Sequence, residues 1–230
     1  MSTVLLTGAN RGIGLELARQ LLARGDHVFA CCRDPESADS LIRLSEQSSG
    51  LVIVAMDVTD PASIDRARER VGAAAIDILI NNAGTIGPKR QSTLDMDFDG
   101  WMETLAVNTL APLRVLQAFL PNLSLSASAK VLTITSRMGS LTASPASDRI
   151  AYRSSKAALN RAMQAAASEL KSRNIAVCVA HPGWVRTDMG GSAADISATE
   201  SAAGLIRCID GMTVTQSPRF LNYDGSEISW

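Results

Sequence analysis

The stretch "TVLLTGANRGIGLELARQLLARGDHVFACC", residues 3 to 32, predicts how the chain begins to fold. Its two ends, residues 3–7 and 27–32, are short runs of apolar and β-branched residues, which are typical of strands buried on both faces. Residues 13–24 between them read as a helix, and Gly25 follows as a left-handed helix cap. The stretch therefore predicts a strand, a helix and a second strand.

Three glycines, Gly8, Gly12 and Gly14, lie between the first strand and the first helix with the spacing G-x-x-x-G-x-G. Glycine lets the backbone turn sharply and approach a pyrophosphate, which then lies at the positive N-terminal end of the helix. Tight turns also use glycine for purely structural reasons, so the turn alone leaves both interpretations open. The flanking strands and helix favour a dinucleotide-binding unit.

The same alternation continues along the chain. Further strand-like runs occupy residues 51–56, 77–81, 130–135 and 175–180, and further helix-like segments occupy 61–71, 100–119, 152–173 and 198–210. This order predicts an α/β fold, a doubly wound Rossmann-type parallel sheet of about seven strands with helices on both faces. Residues 142–149 and 188–197 are the least regular, so we expect them to be substrate-facing or plain surface loops.

Length and charge limit the classes of protein to which the chain can belong. We expect a single domain over residues 1–230. With 22 Lys and Arg against 23 Asp and Glu, the net charge of -1 favours neither nucleic acid nor an anionic membrane as a partner. No run reaches the length of a membrane span, and the first residues lack a basic segment followed by a long apolar one.

Neither the cysteines nor the acidic residues indicate a metal site. Cys31, Cys32, Cys178 and Cys208 lack metal-ligand spacing, which is consistent with reduced thiols and a cytoplasmic location. The acidic run at 95–103 also lacks this spacing and is better explained as a cap for the following helix. His181 has no accompanying nucleophile pattern, so we interpret it as structural.

The end of the second strand indicates which dinucleotide binds. Cys32 occupies the position where a fold that prefers NAD usually has an acid, and it is followed by Arg33. Arg11 lies inside the glycine turn, and two guanidiniums suit a 2'-phosphate, at about 1.5 to 3 kcal/mol for each charge-assisted bond. We therefore predict NADP(H) over NAD(H). Alternatively, Arg33 is a solvated residue paired with Asp34.

Seven motifs, spread over essentially the whole chain, resemble those of the short-chain dehydrogenase/reductase superfamily. They are "TGANRGIG" (7–14), "DV" (57–58), "NNAG" (81–84), Asn108 in "AVNTLAP", Ser136 in "TITSRMGS", "YRSSK" (152–156) and "PGWVRTDM" (182–189). Within that superfamily, "SRMGS", "HPGWVRTDMGG" and "FLNYDGSEISW" resemble the small carbonyl reductases of the C-factor and sniffer type.

The resemblance implies roles for the matching residues. Cofactor contacts are implied for Gly8, Asn10, Arg11, Gly12, Ile13, Gly14, Asp57, Val58, Asn82, Ala83, Gly84, Tyr152, Lys156, Pro182, Gly183, Val185 and Thr187, which join Arg33. Asp57 and Val58 would flank the adenine, and Asn82 to Gly84 would support the adenosine side. Residues 182–187 would hold the nicotinamide end, with the Val185 main chain at the carboxamide.

Tyr152 and Lys156 are four residues apart, so a helix places them on one face. A free phenol has a pKa of about 10. Two charges about 4 Å apart at a dielectric constant near 20 interact by about 4 kcal/mol, enough to lower that pKa by up to about three units. We expect the Lys156 ammonium to lower the Tyr152 pKa and make it a proton donor. Alternatively, Tyr152 merely packs and Lys156 extends into water.

The resemblance completes the predicted function. Ser136 would bind the substrate oxygen, and Asn108 would hold a water that links Lys156 to solvent. Arg137, Met138 and Trp184 are the expected substrate contacts at an open site.

These residues predict an NADPH-dependent reductase of ketones or aldehydes with Tyr152 as the proton donor. The alternative is an NADP(H)-binding sensor of the C-factor type. The alanine- and leucine-rich helices at 100–119 and 152–173 resemble those that pair subunits in this family, so we expect a homodimer or homotetramer.

Overall fold

The computed structural model describes residues 1–143 and 148–230. They form a seven-stranded parallel sheet in the order β3-β2-β1-β4-β5-β6-β7. The strands are β1 (Thr3–Thr7), β2 (His27–Cys32), β3 (Leu51–Ala55), β4 (Ile78–Asn81), β5 (Lys130–Ile134), β6 (Ala176–His181) and β7 (Phe220–Asn222). The predicted doubly wound architecture is confirmed.

Helices cover both faces of this sheet. They are α1 (Gly12–Ala23), α2 (Asp39–Gln47), α3 (Pro61–Val71), α4 (Phe98–Leu105), α5 (Ala111–Leu123), α6 (Ile150–Leu170) and α7 (Ala198–Asp210), and a π-helical turn, Ala106–Leu110, joins α4 to α5. None of the described helices combines the length and the apolar character that a membrane span requires. Within the residues that the structure describes, no cluster of His, Cys, Asp or Glu could hold a metal ion.

Two apolar layers hold the helices against the sheet. Side chains alternate along β6, so Val177 and Val179 pack with α3, α5 and α6, whereas Cys178 and Ala180 pack with α1 and α7. The four cysteines are buried and free. Burial on both faces explains why the strands read as continuous apolar runs.

The strand order places the carboxyl ends of β1, β4, β5 and β6 along one edge of the sheet. β1 pairs with β2 on one side and with β4 on the other, so the winding direction changes between β1 and β4. In an open parallel sheet, ligands bind at the carboxyl edge beside such a reversal. The predicted site segments that follow these four strands therefore share one region.

The structure differs from the sequence prediction in three elements. Helix α2 is absent from the prediction because it is short and polar, with only Leu41 buried. Strand β7, with three residues, was expected in number but not located. The helix predicted over 100–119 is interrupted by the π-helical turn.

Two local predictions are confirmed. Gly25 has a φ of 89°, which is the left-handed conformation predicted for a helix cap. The Asp97 side chain accepts a hydrogen bond from the Gly100 N–H, so the acidic run does cap α4.

Candidate active site

The glycine turn leaves the N-terminus of α1 open to an anion. Gly8 and Gly12 have φ values of 66° and 54°, which favour glycine. Arg11 precedes the helix, and its side chain does not cap it. The first main-chain N–H groups of α1 therefore remain able to donate hydrogen bonds to a ligand. This is the arrangement that binds pyrophosphate. Asn10 lies exposed in the turn, and Ile13 is half-buried.

The "NNAG" segment shapes this turn. The Asn82 side-chain nitrogen donates to the main-chain oxygens of Thr7 and Gly8, at 3.0 and 2.9 Å. The Thr7 hydroxyl in turn accepts from the N–H groups of Asn82 and Ala83, at 3.0 and 3.1 Å. A Cβ on Gly14 would lie 2.1 Å from the Gly8 oxygen, so helix α1 could not approach as it does. The predicted adenosine-side residues therefore hold the glycine turn in place.

Arg11 has a partner that the sequence did not predict. Its Nη1 lies 3.0 Å from Asp188 Oδ2, and both side chains are largely exposed. A Cβ on Gly12 would lie 3.3 Å from Thr187 Cγ2, so the same two segments also approach each other there. The glycine turn and the segment after β6 are therefore in contact.

Arg33 is exposed at the end of β2 and close enough to Asp57 to affect its pKa. Hydrogen bonds from Thr59 lower the pKa of Asp57 most, and the Arg33 charge adds to this. Asp34 accepts hydrogen bonds from the Ser37 hydroxyl and the Glu36 N–H. These bonds do not support the alternative pairing of Arg33 with Asp34.

Val58, the other residue predicted at the adenine, is buried and belongs to the core layer of α3 and α5. At 8% exposure, little of the Val58 side chain is available to contact an adenine base.

The segment after β6 pairs with Ile196 through the residues on either side of Val185. The Trp184 oxygen accepts from Ile196 N–H at 3.1 Å, and Arg186 N–H donates to the Ile196 oxygen at 2.9 Å. Because alternate residues of an extended chain point their N–H and C=O groups to opposite sides, those of Val185 point away from Ile196. A Cβ on Gly183, whose φ is 86°, would lie 2.5 Å from Ile196 Cδ1.

Neighbouring contacts fix the rest of this segment. The Pro182 oxygen accepts from the Ser201 hydroxyl at 2.6 Å, which ties the segment to α7. Thr187 accepts from the Gly190 N–H at 3.2 Å. The indole N–H of Trp184 donates to the Gly190 oxygen at 2.9 Å, and its ring is half-exposed.

Tyr152 and Lys156 share one face of α6, and both are buried, at 8% and 5% exposure. Lys156 Nζ lies 6.0 Å from the Tyr152 ring centroid and donates to the Ile134 oxygen at 2.9 Å. Burial lowers the pKa of Lys156 to about 8. The alternative in which Lys156 extends into water is therefore wrong.

The direction predicted for the Tyr152 pKa requires a correction. Burial raises the pKa of the phenol, and this outweighs the opposing effects of the neighbouring Ser136 side chain and the charge of Arg149. The predicted lowering by Lys156 is not found, because desolvation dominates and the amine is bonded to a main-chain oxygen. At neutral pH the phenol is consequently protonated.

Ser136 lies beside Tyr152, at the carboxyl end of β5. It is 6% exposed, and its Oγ accepts from the Met138 N–H at 3.1 Å. That bond occupies a lone pair and leaves the hydroxyl proton available. Arg137 is exposed and Met138 half-buried next to it, in the region predicted to contact substrate.

Asn108 lies in the π-helical turn and is fully buried. Its Oδ1 accepts from Thr85 N–H at 2.9 Å, and its Nδ2 donates to the Thr85 oxygen at 2.8 Å and to Ser155 Oγ at 3.0 Å. A Cβ on Gly84 would lie 3.3 Å from Asn108 Oδ1 and 3.7 Å from Lys156 Nζ. Both side chains therefore lie close to Gly84. Because both amide hydrogens are used, the predicted water could bind only at an oxygen, and this role stays a prediction.

Two residues near the site had no predicted role in it. Gln91 is buried and accepts from the Tyr152 N–H at 3.0 Å. Within the described part of the chain, His181 Nδ1 has no hydrogen-bond partner. Burial, helped by the Arg137 charge, lowers the pKa of His181 to about 4. His181 is thus neutral at physiological pH.

A glycine turn at a helix N-terminus, with a buried serine, tyrosine and lysine at the same edge of the sheet, is typical of dinucleotide-dependent oxidoreductases. The family model for "short chain dehydrogenase" matches residues 2–197, and the chain belongs to this family.

Similar proteins agree with this assignment. C-signal of Myxococcus xanthus is 43% identical over 155 residues, which cover 67% of this chain and 93% of that protein. NADPH-bound carbonyl reductase from chicken fatty liver is 36% identical, with a TM-score of 0.93 over 100% of this chain and 99% of that one. Carbonyl reductase Sniffer of D. melanogaster is 31% identical, with a TM-score of 0.93 over 100% of both chains. The predicted resemblance to the C-factor and sniffer type is confirmed.

Proposed function

We propose that the protein is an NADPH-dependent carbonyl reductase that converts ketones or aldehydes to alcohols. The observation that carries this proposal is the Ser136, Tyr152 and Lys156 cluster, buried at the sheet edge where the carboxyl end of β5 lies beside that of β6. The NADPH-bound chicken carbonyl reductase, similar over the whole chain, supports the choice of cofactor and reaction.

The residues present fit a dinucleotide. The uncapped N–H groups at the start of α1 would bind the pyrophosphate, and Arg33, with Arg11, would bind the 2'-phosphate. Asp57 and Val58 would lie at the adenine, and the Val185 main chain would bind the carboxamide. When bound, the reduced nicotinamide supplies the hydride.

The protein's own residues supply the proton. Ser136 Oγ, with its hydrogen free, would donate a hydrogen bond to the substrate oxygen. Tyr152 Oη would give its proton to that oxygen. The raised pKa keeps the phenol protonated before the step, and the Lys156 ammonium near the ring would stabilise the phenolate that remains.

The half-exposed Trp184 and the exposed Arg137 leave the site open to solvent, which suits modest or exposed carbonyl compounds. The test is NADPH oxidation, followed by absorbance, over aldehydes, isatin-like diketones, quinones and keto esters. We expect turnover with at least one class. Failure with every class, by folded protein that binds NADPH, would contradict the proposal.

The similarity to C-signal favours a second candidate, an NADP(H)-binding sensor in which catalysis is incidental. Thermal stabilisation by NADPH without turnover across the panel would support the sensor. The burial of Ser136, Tyr152 and Lys156 favours the enzyme, since a sensor does not require these three side chains to be held together. Cytoplasmic location and assembly as a homodimer or homotetramer stay predictions.

A further inference from the structure

Among the residues that the structure describes, the first turn of α6, which carries Tyr152, has no side-chain cap of its own. Tyr152 is the third residue of this helix, where main-chain N–H groups have no partner within the helix. The preceding residue, Arg149, adopts the left-handed conformation, with φ 55° and ψ 51°, and its side chain does not cap the helix. The residues at the start of α6 therefore do not by themselves fix the turn that carries the Tyr152 phenol.

Gln91 supplies the missing acceptors from the loop between β4 and α4. Its main-chain oxygen accepts from the Ile150 N–H at 3.1 Å. Its side-chain Oε1 accepts from the Tyr152 N–H at 3.0 Å, across 61 residues of sequence. Because Gln91 is only 9% exposed, water competes little for these bonds.

The other end of the Gln91 amide holds its own loop. Nε2 donates to the Ile86 oxygen at 3.1 Å and to the Pro88 oxygen at 2.7 Å. Gly87 between them has a φ of 85°, and a Cβ there would lie 2.8 Å from Thr104 Oγ1, so the loop packs closely on α4. Only a side chain with a donor and an acceptor at this reach can join both sides.

We infer that Gln91 is a positioning residue for Tyr152, joining the main chain of the first α6 turn to the loop that follows Gly84. The inference rests on the proposed function. Loss of the amide would leave the Tyr152 N–H and two loop oxygens without these partners. The turn would then relax, and the phenol would move relative to Ser136. Misplacement of a reacting group by about 1 Å can cost about 100-fold in rate.

The test compares Gln91→Met, which keeps the side-chain length and loses all three bonds, with Asn122→Leu. Asn122 is a matched control because its buried amide also donates to two loop oxygens, those of Gly72 and Ala74 at 2.8 Å each, between α3 and β4. Both variants should lose thermal stability. We expect kcat at saturating NADPH to fall at least tenfold in Gln91→Met alone, with the NADPH dissociation constant changed less than threefold.

The milder variant Gln91→Asn, whose amide is too short to reach both sides, decides the matter if Gln91→Met does not fold. Its kcat should fall at least threefold with NADPH affinity retained. A kcat equal to that of Asn122→Leu in the folded Gln91 variant would overturn the inference.

Tyr152→Phe is measured in parallel to separate this inference from the proposed function. If Tyr152→Phe is inactive and Gln91→Met keeps full kcat, the positioning role alone is wrong. If Tyr152→Phe turns over normally, Tyr152 is not the proton donor of the proposed reaction, and the positioning role falls with it.

Discussion

The buried amine of Lys156 controls the charge beside the phenol. Its pKa of about 8 is below the ordinary value, so the amine is charged at neutral pH and loses its proton as the pH rises through about 8. The phenolate left by proton transfer then lacks a nearby cation. We predict that kcat for carbonyl reduction is constant near pH 7 and falls above about pH 8.

Initial rates at saturating NADPH across this range measure the effect. Lys156→Met should have a low kcat at every pH, whereas Lys171→Met, which changes an exposed lysine, should follow the natural profile. An unchanged kcat in Lys156→Met would contradict the role of the ammonium.

Arg33 is the residue on which cofactor preference most depends. A charge-assisted bond to a 2'-phosphate contributes about 1.5 to 3 kcal/mol, so Arg33→Ala should raise the KM for NADPH roughly 10- to 100-fold and leave that for NADH nearly unchanged. Arg43→Ala, an exposed arginine on α2, serves as the control. If Arg33→Ala keeps its preference for NADPH, the assignment is wrong.

Contacts between distant residues set the limit of what the sequence predicts at the residue scale. The spacing of Tyr152 and Lys156 correctly places them on one helical face because the relation is local. The hydrogen bonds that Tyr152 donates to Gln91 and Arg11 donates to Asp188 span 61 and 177 residues, and no local pattern encodes them. The predicted direction of the Tyr152 pKa shift is wrong because the shift depends on burial of the phenol, and burial is determined only when the chain folds.

At the scale of elements, apolar runs predict strands β1 to β6 well, since burial on both faces makes them continuous. Polar α2 and the three-residue β7 give weaker patterns. The π-helical turn adds a residue to a helical turn without changing composition, so periodicity does not reveal it. Part of the predicted loop at 142–149, residues 144–147, lies outside the described residues.

The approach of α6 to the loop after β5 depends on Gly139. A Cβ there would lie 2.8 Å from the main-chain carbon of Lys156 and 3.0 Å from the Ala157 nitrogen, and main chain cannot yield as a side chain does. Gly139→Ala should therefore lower the free energy of unfolding by about 1 to 3 kcal/mol and reduce kcat.

Denaturant unfolding and steady-state rates measure the two effects. Gly211→Ala is the control, because a Cβ there meets nothing closer than 3.6 Å and the φ of -78° is ordinary. If Gly139→Ala has the same free energy of unfolding and the same kcat as the natural protein, the close approach of Gly139 to Lys156 does not constrain α6.

At the scale of the whole molecule, we predict assembly of subunits through α4, α5 and α6. Met102 on α4 and Leu110 in the π-helical turn are 67% and 47% exposed, although both are large and apolar. Light scattering coupled to size exclusion should give at least twice the 24.3 kDa of one chain. A particle of 24.3 kDa alone, at every concentration tested, would reject the assembly.

The central claim is that the Tyr152 hydroxyl delivers the proton when a carbonyl compound is reduced. Stopped-flow mixing of the NADPH complex with an accepted carbonyl compound follows a single turnover by loss of NADPH absorbance. For Tyr152→Phe, we predict that NADPH still binds with its natural affinity and that the single-turnover rate falls at least 1000-fold, in line with the loss of a general acid. A single-turnover rate in that variant close to the natural one would contradict the account.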